Sequence, residues 1–381
     1  MRILLHSRSF LPRIGGLEQV GLLLARELTR RGHIVLVATD TPGDPEADRS
    51  LEFEVARQRT LRQLVALARK ADLVHSNGHS MLAIAISRAA GIPLVMGHQG
   101  YQAACLSGLG WHGGARCDYR LPRCVALTLR HEGILWTGRQ LLRHVAARIS
   151  LGSAAAHVAA SAKVAAVLRA KRTFVVPNAA DTSVFHPEPG GARRQRFLFV
   201  GRLVGEKGVD FLLKTYFRYR QESGKAGLDI VGAGPEEPQL RSLVRRLGIM
   251  EHVSFRGSLV GRPLADAMRT ALAVLVPSVW DEAFGIVAAE ALSCGTIALV
   301  SDAGGLPEVV EGLGTAVPQG DEIAWAKALH RVVFDQGWRE FLEERIPAVA
   351  QRFTEARMAD GYLRVFEWVL CGRAESSSGV A

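Results

Sequence analysis

The chain has 381 residues, which is more than one ordinary domain needs and suits two of about 150–200 residues each. Apolar residues form 48% of the sequence and charged residues 22%, which excludes wholesale disorder, collagen-like repeats and a coiled coil, and no apolar run approaches the ~20 residues that span a bilayer. The net charge of +10 is concentrated in residues 1–190, where 24 Lys and Arg face 13 Asp and Glu, and this asymmetry indicates either an anionic partner or ordinary solubility charge.

The first half of the chain alternates between short apolar strands and amphipathic helices. Residues 2–6 form a predicted strand, a loop with Gly15 and Gly16 follows, and residues 17–31 carry apolar side chains at helical spacing. Further strands are predicted at residues 34–38, 72–75, 91–96, 155–158 and 173–176. A repeated strand–helix–strand order is typical of a parallel sheet with helices on both faces.

Residues 101–150 interrupt this order, with many arginines, three of the five cysteines and no clear strand. The spacings between Cys105, Cys117 and Cys124 lack the close cysteine pair of common zinc sites. With His112 or His131 as a fourth ligand, these cysteines could still form a structural zinc site. Unmetallated buried cysteines are the interpretation that the sequence favours.

A segment rich in Pro and Gly, residues 187–191, is the predicted linker to a second alternating unit. This unit has predicted strands at residues 196–200, 228–231, 252–255, 273–276 and 296–300, and residues 376–381 form a predicted loose tail. In open α/β sheets, ligands bind beyond the carboxyl ends of the strands. Two Rossmann-like halves therefore predict a ligand site in the cleft between them.

A basic loop that contains glycines follows the first strand of the second half. Its sequence, Gly201-Arg202-Leu-Val-Gly-Glu-Lys207-Gly208, places two cations where both side chains can reach one phosphate group. The glycines let the backbone approach such a group closely. A basic surface loop without function would have the same composition, so the loop alone does not distinguish a phosphate site from an ordinary surface.

Two carboxylates flank the start of a predicted helix later in this half. Glu282 lies in the loop before the helix, which opens at Phe284-Gly285, and Glu290 lies within it. The free N–H groups of a helix N-terminus bind anions, and nearby carboxylates can accept hydrogen bonds from sugar hydroxyls, although both could simply favour the helix dipole. A nicotinamide site is not favoured, because Gly232-Ala-Gly-Pro235 has proline where a third glycine is expected.

Several short motifs occur together in a characteristic order. The second half contains Gly201-Arg202 with Lys207-Gly208, Gly232-Ala-Gly-Pro235, Phe255-Arg-Gly257 and Glu282 followed by Glu290. The first half contains Gly15-Gly16, Arg31-Gly-His33, His98-Gln-Gly100 and Val176-Pro-Asn-Ala-Ala-Asp181, and Phe353-Thr-Glu with Met358-Ala-Asp-Gly-Tyr362 lies near the end. In their order and spacing, and over about the whole chain, these motifs make the sequence similar to the retaining GT-B glycosyltransferases of family 4.

The resemblance implies an α/β fold of the GT-B type, with two Rossmann-like domains that face each other across a cleft. Residues 1–187 would form the acceptor-binding N-terminal domain, with residues 101–150 as a basic insertion that contains cysteines. Residues 192–355 would form the domain that binds the nucleotide-sugar donor, and residues 356–374 would form a C-terminal helix that returns to the N-domain.

The resemblance also implies a catalytic group of His98, Arg202, Lys207 and Glu282. The two cations would hold the donor diphosphate and stabilise it as the leaving group, Glu282 would bind hydroxyls of the donor sugar, and His98 would lie near its anomeric carbon and the acceptor. Glu290 would bind the ribose hydroxyls. Further donor contacts are implied at Gly15, Gly16, Gly201, Gly234, Arg256, Phe284, Gly285 and Ile286.

The implied activity is transfer of a hexose from a nucleotide-diphosphate sugar to a glycan or lipid-linked acceptor, with retention of the anomeric configuration. No cofactor is implied, and no metal at the diphosphate, because the sequence contains no Asp-x-Asp motif. The leaving phosphate would itself accept the proton of the acceptor. Two alternatives stay open, a nucleotide-sugar 2-epimerase of the same fold and a nucleotide-sugar-binding protein without turnover, and no nucleic-acid partner is expected.

The insertion mixes basic and apolar side chains. From Arg116 to Arg148 there are seven arginines against Asp118 and Glu132, with leucines and Trp136 between them. This mixture predicts reversible attachment to an anionic membrane surface, whereas the alternative is a helix packed into the N-domain with solvated arginines. Because no signal peptide precedes the first strand and cysteines are few, we expect a cytoplasmic protein that lies peripherally on the inner face of the membrane.

Overall fold

The computed structural model describes residues 1–13, 15–43, 45–188 and 195–377. They form two compact units, of which the first contains Met1–Ala179 and the last helix from Glu355, and the second contains Ala180–Thr354. The chain therefore enters the second unit upstream of the predicted boundary at residue 187. Part of the predicted linker, residues 187–191, and most of the predicted tail, residues 376–381, lie outside the described residues.

The first unit is built around a parallel sheet. Its strands are β1 (Arg2–His6), β2 (Ile34–Thr39), β3 (Glu54–Arg57), β4 (Leu73–Ser76), β5 (Leu94–His98), β6 (Trp111–His112), β7 (Ala115–Arg116), β8 (Ala156–Ala159) and β9 (Thr173–Val175). Seven of them form the sheet in the order β3-β2-β1-β4-β5-β8-β9, and β6 and β7 form a separate antiparallel hairpin. The inner strands β4, β5 and β8 are buried along their whole length, as expected for a sheet covered on both faces.

Helices with clear sequence signals connect these strands. They are α1 (Gly16–Arg30), α2 (Pro45–Arg49), α3 (Leu61–Ala68), α4 (Met81–Ala90), α5 (Leu121–Glu132), α6 (Ile134–Ser150) and α7 (Ala162–Leu168). Thr60 caps α3 in a capping box with Gln63, and Ser80 caps α4, which ends at Gly91 in the left-handed conformation. The apolar residues that predicted α1 form its buried face.

The second unit repeats this design. Its strands are β10 (Arg196–Val200), β11 (Gly227–Val231), β12 (Val253–Phe255), β13 (Val274–Val276), β14 (Ala298–Ser301) and β15 (Ala316–Val317), in the order β12-β11-β10-β13-β14-β15. Its helices are α8 (Val209–Gln221), α9 (Glu237–Arg246), α10 (Arg262–Thr270), α11 (Ile286–Ser293), α12 (Leu306–Val309), α13 (Glu322–Phe334) and α14 (Gln336–Ala350). This strand order is that of the doubly wound Rossmann sheet.

The last helix, α15 (Glu355–Ser377), packs on the first unit. Arg31 Nη1 lies 2.6 Å from Asp360 Oδ1, which joins the end of α1 to α15. The ring of His75 in β4 lies 5.0 Å from that of Tyr362 and 5.6 Å from that of Phe366. Because His75 is fully buried in this contact, it is a packing residue of the first unit.

The strands that the sequence did not predict lie at sheet edges or are very short. β3 and β15 are edge strands of their sheets, and β3 begins and ends with the charged Glu54 and Arg57. Since an edge strand is paired on one side only, it needs few apolar residues to form. The expectation of no strand in residues 101–150 is corrected by the two-residue strands β6 and β7. Within the described ranges, no helix has both the length and the apolar character that crossing a membrane requires.

Candidate functional site

The strand order of the second unit determines where a ligand can bind. Its first strand, β10, lies between β11 and β13, so consecutive helices leave the sheet in opposite directions at this point. The loops after β10 and β13 then diverge and leave a crevice at the carboxyl ends of the strands. These two loops carry Lys207 and Glu282, two of the predicted catalytic residues.

Lys207 and Glu282 form a close ion pair across the two loops. Lys207 Nζ donates a hydrogen bond to Glu282 Oε1 at 2.6 Å, and Ser278 Oγ donates to the same oxygen at 2.6 Å. Burial pushes the pKa of the Glu282 carboxyl upward, but the Lys207 ammonium and these hydrogen bonds outweigh burial and hold that pKa below its usual range. The site therefore contains a buried carboxylate that stays ionised and is fixed on a lysine.

Two glycines allow the backbone to close around this pair. Gly208 has φ +70°, and a Cβ there would collide with the carbonyl oxygen of Pro277. Gly304 has φ +64°, and a Cβ there would collide with the backbone of Glu282. Gly305 N donates to the Glu282 carbonyl oxygen at 2.7 Å. Only glycine combines a positive φ with so close an approach, so these loops require it at both positions.

Arg202 lies on the same loop as Lys207 but is largely exposed. Its Nη2 is 3.4 Å from Glu206 Oε1, and 71% of its side chain is accessible, against 21% for Lys207. An exposed guanidinium can turn toward a ligand without leaving a buried partner behind. The predicted pair of cations thus combines one fixed charge with one that is able to reorient.

Glu290 is a buried carboxyl on α11. Burial, with a smaller contribution from Asp181, raises the pKa of Glu290 to about 8. At neutral pH this carboxyl therefore carries a proton and can donate as well as accept a hydrogen bond. A group with both capacities suits the hydroxyls of a ribose, the role that the sequence predicts for Glu290.

The three predicted positions around the start of α11 form its N-terminus. Gly285 caps the helix with φ +107° and without a side-chain hydrogen bond, and Ile286 is the first helical residue. Phe284 is buried with its ring 5.7 Å from that of Phe353, which anchors the loop. The first N–H groups of α11 therefore lie close in sequence to Glu282 and are oriented as donors to an anion.

The remaining predicted donor positions in this unit lie on the loops after β10, β11 and β12. Gly201 N donates to Val231 O at 3.0 Å, and Gly234 packs on the backbone of Leu203. Arg256 Nη1 lies 3.0 Å from Asp229 Oδ2, on a cavity of about 240 Å³. The guanidinium of Arg256 is bound to Asp229, so a contact with the donor's base would come from the backbone turn at Arg256. The position of Arg256 beside the base stays a prediction.

In the first unit, His98 ends β5 in a buried chain of hydrogen bonds. His157 Nε2 lies 3.1 Å from Leu151 O, and His157 Nδ1 lies 3.0 Å from His98 Nε2. A carbonyl oxygen only accepts, so His157 carries its proton on Nε2 and His98 must donate from Nε2. Burial, and then His157, lower the pKa of His98 well below its usual range. His98 is thus neutral, with Nδ1 as the acceptor.

The switch point of the first unit, between β1 and β4, opens on a cavity of about 580 Å³. The cavity is lined by His6 at the end of β1, by residues that follow β1 and β4, including Arg8 and His79, and by Gln140 and Arg143 of α6. Gly15 and Gly16, predicted to approach the donor phosphate, cap and begin α1 after β1. The first unit therefore has its own ligand-sized cavity at the carboxyl end of its sheet.

Two family models match the chain, one for each unit. Residues 14–184 match the family model for Glycosyltransferase Family 4, and residues 186–349 match the model for Glycosyl transferases group 1. Each half of the chain therefore matches a glycosyltransferase domain. The Family 4 domain corresponds to most of the first unit, and the group 1 domain contains Lys207, Glu282 and Glu290.

Several relatives match part of the chain. An uncharacterised glycosyltransferase of Methanocaldococcus jannaschii is 38% identical over 149 residues, which cover 38% of this chain and 37% of the relative. A D-inositol 3-phosphate glycosyltransferase of Corynebacterium jeikeium is 34% identical over 214 residues, 51% of each chain. The gpi3 subunit of phosphatidylinositol N-acetylglucosaminyltransferase from Schizosaccharomyces pombe is 32% identical over 172 residues, 45% of this chain and 38% of its own. The chain thus matches about half, or less, of the length of these relatives.

Solved structures match over nearly the whole chain. The Anabaena protein HepE, crystallised with UDP, has a TM-score of 0.75 at 20% identity, with 96% of this chain and 100% of that chain covered. Sucrose-phosphate synthase of Thermosynechococcus elongatus has a TM-score of 0.72 at 20% identity, with 97% and 99% covered. At this identity the likeness establishes the fold. The expected GT-B fold is therefore confirmed.

Some residues of the group 1 domain acquire a role only from the structure. Ser278 lies just beyond β13, after Pro277, and donates to Glu282, and Gly304 follows β14 and packs on the backbone of Glu282. In the Family 4 domain, the partner of His98 is His157 on the adjacent strand β8. A hydroxyl or a glycine after a buried strand is the signal by which the sequence could have indicated Ser278 and Gly304, but no local pattern shows which side chain each one supports.

Proposed function

We propose that the chain is an enzyme that transfers a hexose from a nucleotide-diphosphate sugar to an acceptor, with retention of the anomeric configuration. The observation that carries this proposal is the buried Lys207–Glu282 pair at the switch point of the group 1 domain. It provides a fixed cation for a leaving diphosphate and a carboxylate for sugar hydroxyls. The proposal adds Arg202 as a second cation, and the N-terminus of α11 as a source of N–H donors.

The charges of the site fit a leaving group better than a covalent intermediate. As the bond between the anomeric carbon and the phosphate oxygen breaks, negative charge develops on the diphosphate, and Lys207 and Arg202 stabilise it. The carboxylate of Glu282 is held by Lys207 and Ser278, which reduces its strength as a nucleophile. We infer that the acceptor oxygen bonds to the anomeric carbon on the face that the phosphate leaves, and that its proton passes to a phosphate oxygen.

We further propose that the donor base is uracil. HepE was crystallised with UDP and with UDP-glucose, and the group 1 domain has the same fold. A thermal-shift comparison tests this proposal directly, because a ligand that binds the native state raises the Tm. UDP and UDP-sugars should raise the Tm more than GDP and GDP-sugars at equal concentration. A larger shift with GDP would exclude the uridine assignment, and no shift with any nucleotide would exclude the donor site itself.

We propose the cavity of the Family 4 domain as the acceptor site. Its volume of about 580 Å³ suits a small head group, and Arg8 and Arg143 bring positive charge to its lining. The names of the relatives from Corynebacterium and Schizosaccharomyces include phosphorylated inositols. A phosphate-bearing acceptor, such as a lipid-linked one, would match this lining by charge.

The helix that lines this cavity also presents an apolar face to solvent. On α6, Leu135, Leu142 and Ile149 recur every seven residues and are 89%, 75% and 76% exposed. The face of α6 that packs on the protein is buried at other positions, among them His144 and Ala147. Large exposed aliphatic side chains on one helix face are unusual in a protein that stays in water. We propose that this face enters the headgroup region of an anionic membrane, while the exposed Arg139 and Arg143 bind lipid phosphates.

The membrane proposal predicts co-sedimentation with anionic vesicles but not with neutral ones. We expect the double variant Arg139→Glu, Arg143→Glu to weaken binding at least about tenfold, since each basic residue near an anionic surface contributes about 1 kcal/mol. The matched control is Arg245→Glu, Arg246→Glu, which reverses two adjacent exposed charges on α9 of the other domain. Equal binding to neutral vesicles, or an equal loss in the control, would contradict the proposal.

The raised pKa of Glu290 predicts a distinct pH dependence. Between about pH 4.5 and pH 8 the native state keeps the Glu290 proton and the unfolded state releases it, so stability falls as the pH rises through this window and then levels off. Glu290→Gln removes this loss, and the Tm of the variant should rise relative to wild type as the pH increases. The matched control is Glu251→Gln, at an exposed residue of the same domain. Parallel Tm curves for wild type and Glu290→Gln would contradict the assignment.

The same variant tests the role of Glu290 at the ribose. If the protonated Glu290 carboxyl binds ribose hydroxyls in the ground state, Glu290→Gln should weaken the affinity for free UDP by about fivefold to tenfold, since one hydrogen bond between neutral groups contributes about 1 kcal/mol. Glu282→Gln should leave this affinity nearly unchanged and should mainly reduce turnover and sugar selectivity. Titration calorimetry with UDP separates the two. Equal losses of affinity would contradict this division of roles.

A further inference from the structure

Four side chains that commonly bind metals converge in the insertion of the Family 4 domain. The ligand atoms of Cys105, His112, Cys117 and Cys124 all lie within 4.8 Å of one another. Each of these residues is at most 4% exposed. We propose that they bind one zinc ion in a closed site whose role is structural.

The distances from Cys105 Sγ to two of the other ligand atoms fit tetrahedral zinc. With Zn–S bonds of about 2.3 Å and a Zn–N bond of about 2.0 Å, ligand atoms at tetrahedral angles lie roughly 3.5–3.8 Å apart. Cys105 Sγ is 3.7 Å from Cys124 Sγ and 3.3 Å from His112 Nε2. Three sulfurs and one imidazole nitrogen form a common ligand set of structural zinc sites.

The hydrogen bonds of His112 orient it as a ligand. Thr128 Oγ1 donates to Cys124 O at 2.7 Å and lies 3.1 Å from His112 Nδ1. Because the single hydroxyl proton of Thr128 is used on the carbonyl, Thr128 must accept from Nδ1–H. The lone pair of His112 is then on Nε2, the nitrogen that faces the sulfurs. This arrangement, in which one ring nitrogen is held by an outer partner and the other faces the ligand cluster, is typical of metal-bound histidine.

The sulfurs also have outer hydrogen-bond partners. Tyr119 N donates to Cys117 Sγ at 3.3 Å, and Ser107 Oγ lies 3.3 Å from Cys105 Sγ. Such contacts stabilise the negative charge that a zinc-bound thiolate carries.

The local sequence explains how the four ligands meet. Gly113 and Gly114 both have positive φ and form the two-residue turn between β6 and β7, which places His112 and Cys117 at the ends of one hairpin. Cys124 lies in the first turn of α5, and Cys105 in the loop before the hairpin. The other histidine considered from the sequence, His131, is exposed and lies outside the cluster. Zinc would therefore join three segments of the insertion, namely the loop that contains Cys105, the hairpin and α5.

Cys117 and Cys124 are joined in the structure as a disulfide, which is the competing state of the same residues. A disulfide and zinc binding exclude each other, because zinc requires reduced thiolates. The disulfide accounts for two of the four side chains, and the Cys105 thiol, 3.3 Å from His112 Nε2, then donates to the lone pair of His112. Zinc accounts for all four, and it is on this ground that we assign it.

Metal content and thiol count of the purified full-length chain test the proposal together. We expect about one zinc per chain by plasma mass spectrometry and, after unfolding with chelator but without reductant, all five cysteines reactive. Three reactive thiols without zinc would assign the disulfide and overturn the proposal. Five reactive thiols without zinc, or another metal in its place, would overturn it as well.

Variants test which residues bind the ion. Cys105→Ser and His112→Gln should each lose most of the zinc, whereas Cys371→Ser, at an exposed cysteine of α15, should retain it. If the ligand variants do not fold, cobalt exchanged into the wild-type chain provides the second measurement. Tetrahedral cobalt with thiolate ligands gives intense visible bands and a sulfur-to-metal charge-transfer band. A weak spectrum of octahedral type would exclude this ligand set.

Discussion

Replacing Lys207 with alanine is expected to lower the turnover of sugar transfer by about 10²-fold or more. Its ammonium is the cation that the fold holds in place, and removal of one preorganised charge at a developing anion costs about this factor. The variant also leaves the buried Glu282 carboxylate without its cation, which should destabilise the fold by about 3 kcal/mol. Turnover at saturating donor, measured on protein shown to be folded, checks the prediction.

The control for this variant is Lys214→Ala, in the helix that follows the same loop. Lys214 is half-exposed and 3.4 Å from Asp210, so its loss removes a lysine of the group 1 domain without a buried partner. It should retain both turnover and stability. If Lys207→Ala folded and kept turnover near that of wild type, the assignment of the donor site would be wrong.

Arg202→Ala should reduce turnover by a similar factor of about 10² but should leave stability nearly unchanged. The Arg202 side chain is exposed and has a single partner, Glu206, so its removal affects the diphosphate and not the core. Arg241→Ala is the matched control, because Arg241 forms a similar i,i+4 pair with Glu237 in the same domain and otherwise lies over the ring of Phe255. Equal activity of the Arg202 and Arg241 variants would remove Arg202 from the site.

Together the two cation variants distinguish a built site from a basic surface. Lys207→Ala should change stability and turnover, and Arg202→Ala should change turnover alone. If the loop were a basic surface without function, neither variant would lose turnover. The contrast follows from burial, which the sequence of this loop does not reveal.

The sequence predicts the alternating strands well because most of them are buried and apolar. The bounds of β1 and β10 agree with the predicted strands, whereas β3 and β15 were missed because edge strands tolerate charged or very short sequences. The compact unit that begins at Ala180 starts upstream of the predicted boundary at residue 187, because the segment after Ala180 contacts the second unit. Arg269 Nη1 donates to the carbonyl oxygens of Val184 and His186. Long-range contacts of this kind leave no local pattern.

For the candidate site, the residue types were predictable and the pairings were not. Lys207 and Glu282 were each assigned a separate role, but their ion pair joins residues 75 positions apart. The burial that raises the pKa of Glu290 depends on how α11 packs, and the bond between His98 and His157 depends on strand order. The spacing of the cysteines did not show whether His112 or His131 lies beside them. The hairpin of β6 and β7 places the ring of His112 in the cluster, and the sequence did not predict these two-residue strands.

The most direct test of the account is a transfer assay with labelled UDP-sugars, with and without a lipid extract as the source of acceptor. We predict that label moves to lipid only when both the extract and the wild-type chain are present, that Lys207→Ala abolishes the transfer, and that the product keeps the anomeric configuration of the donor by NMR. Conversion of the UDP-sugar to its 2-epimer without any extract would instead identify an epimerase. Binding of UDP-sugars with no turnover in the presence of the extract would identify an inactive binding protein, and either result would contradict the account.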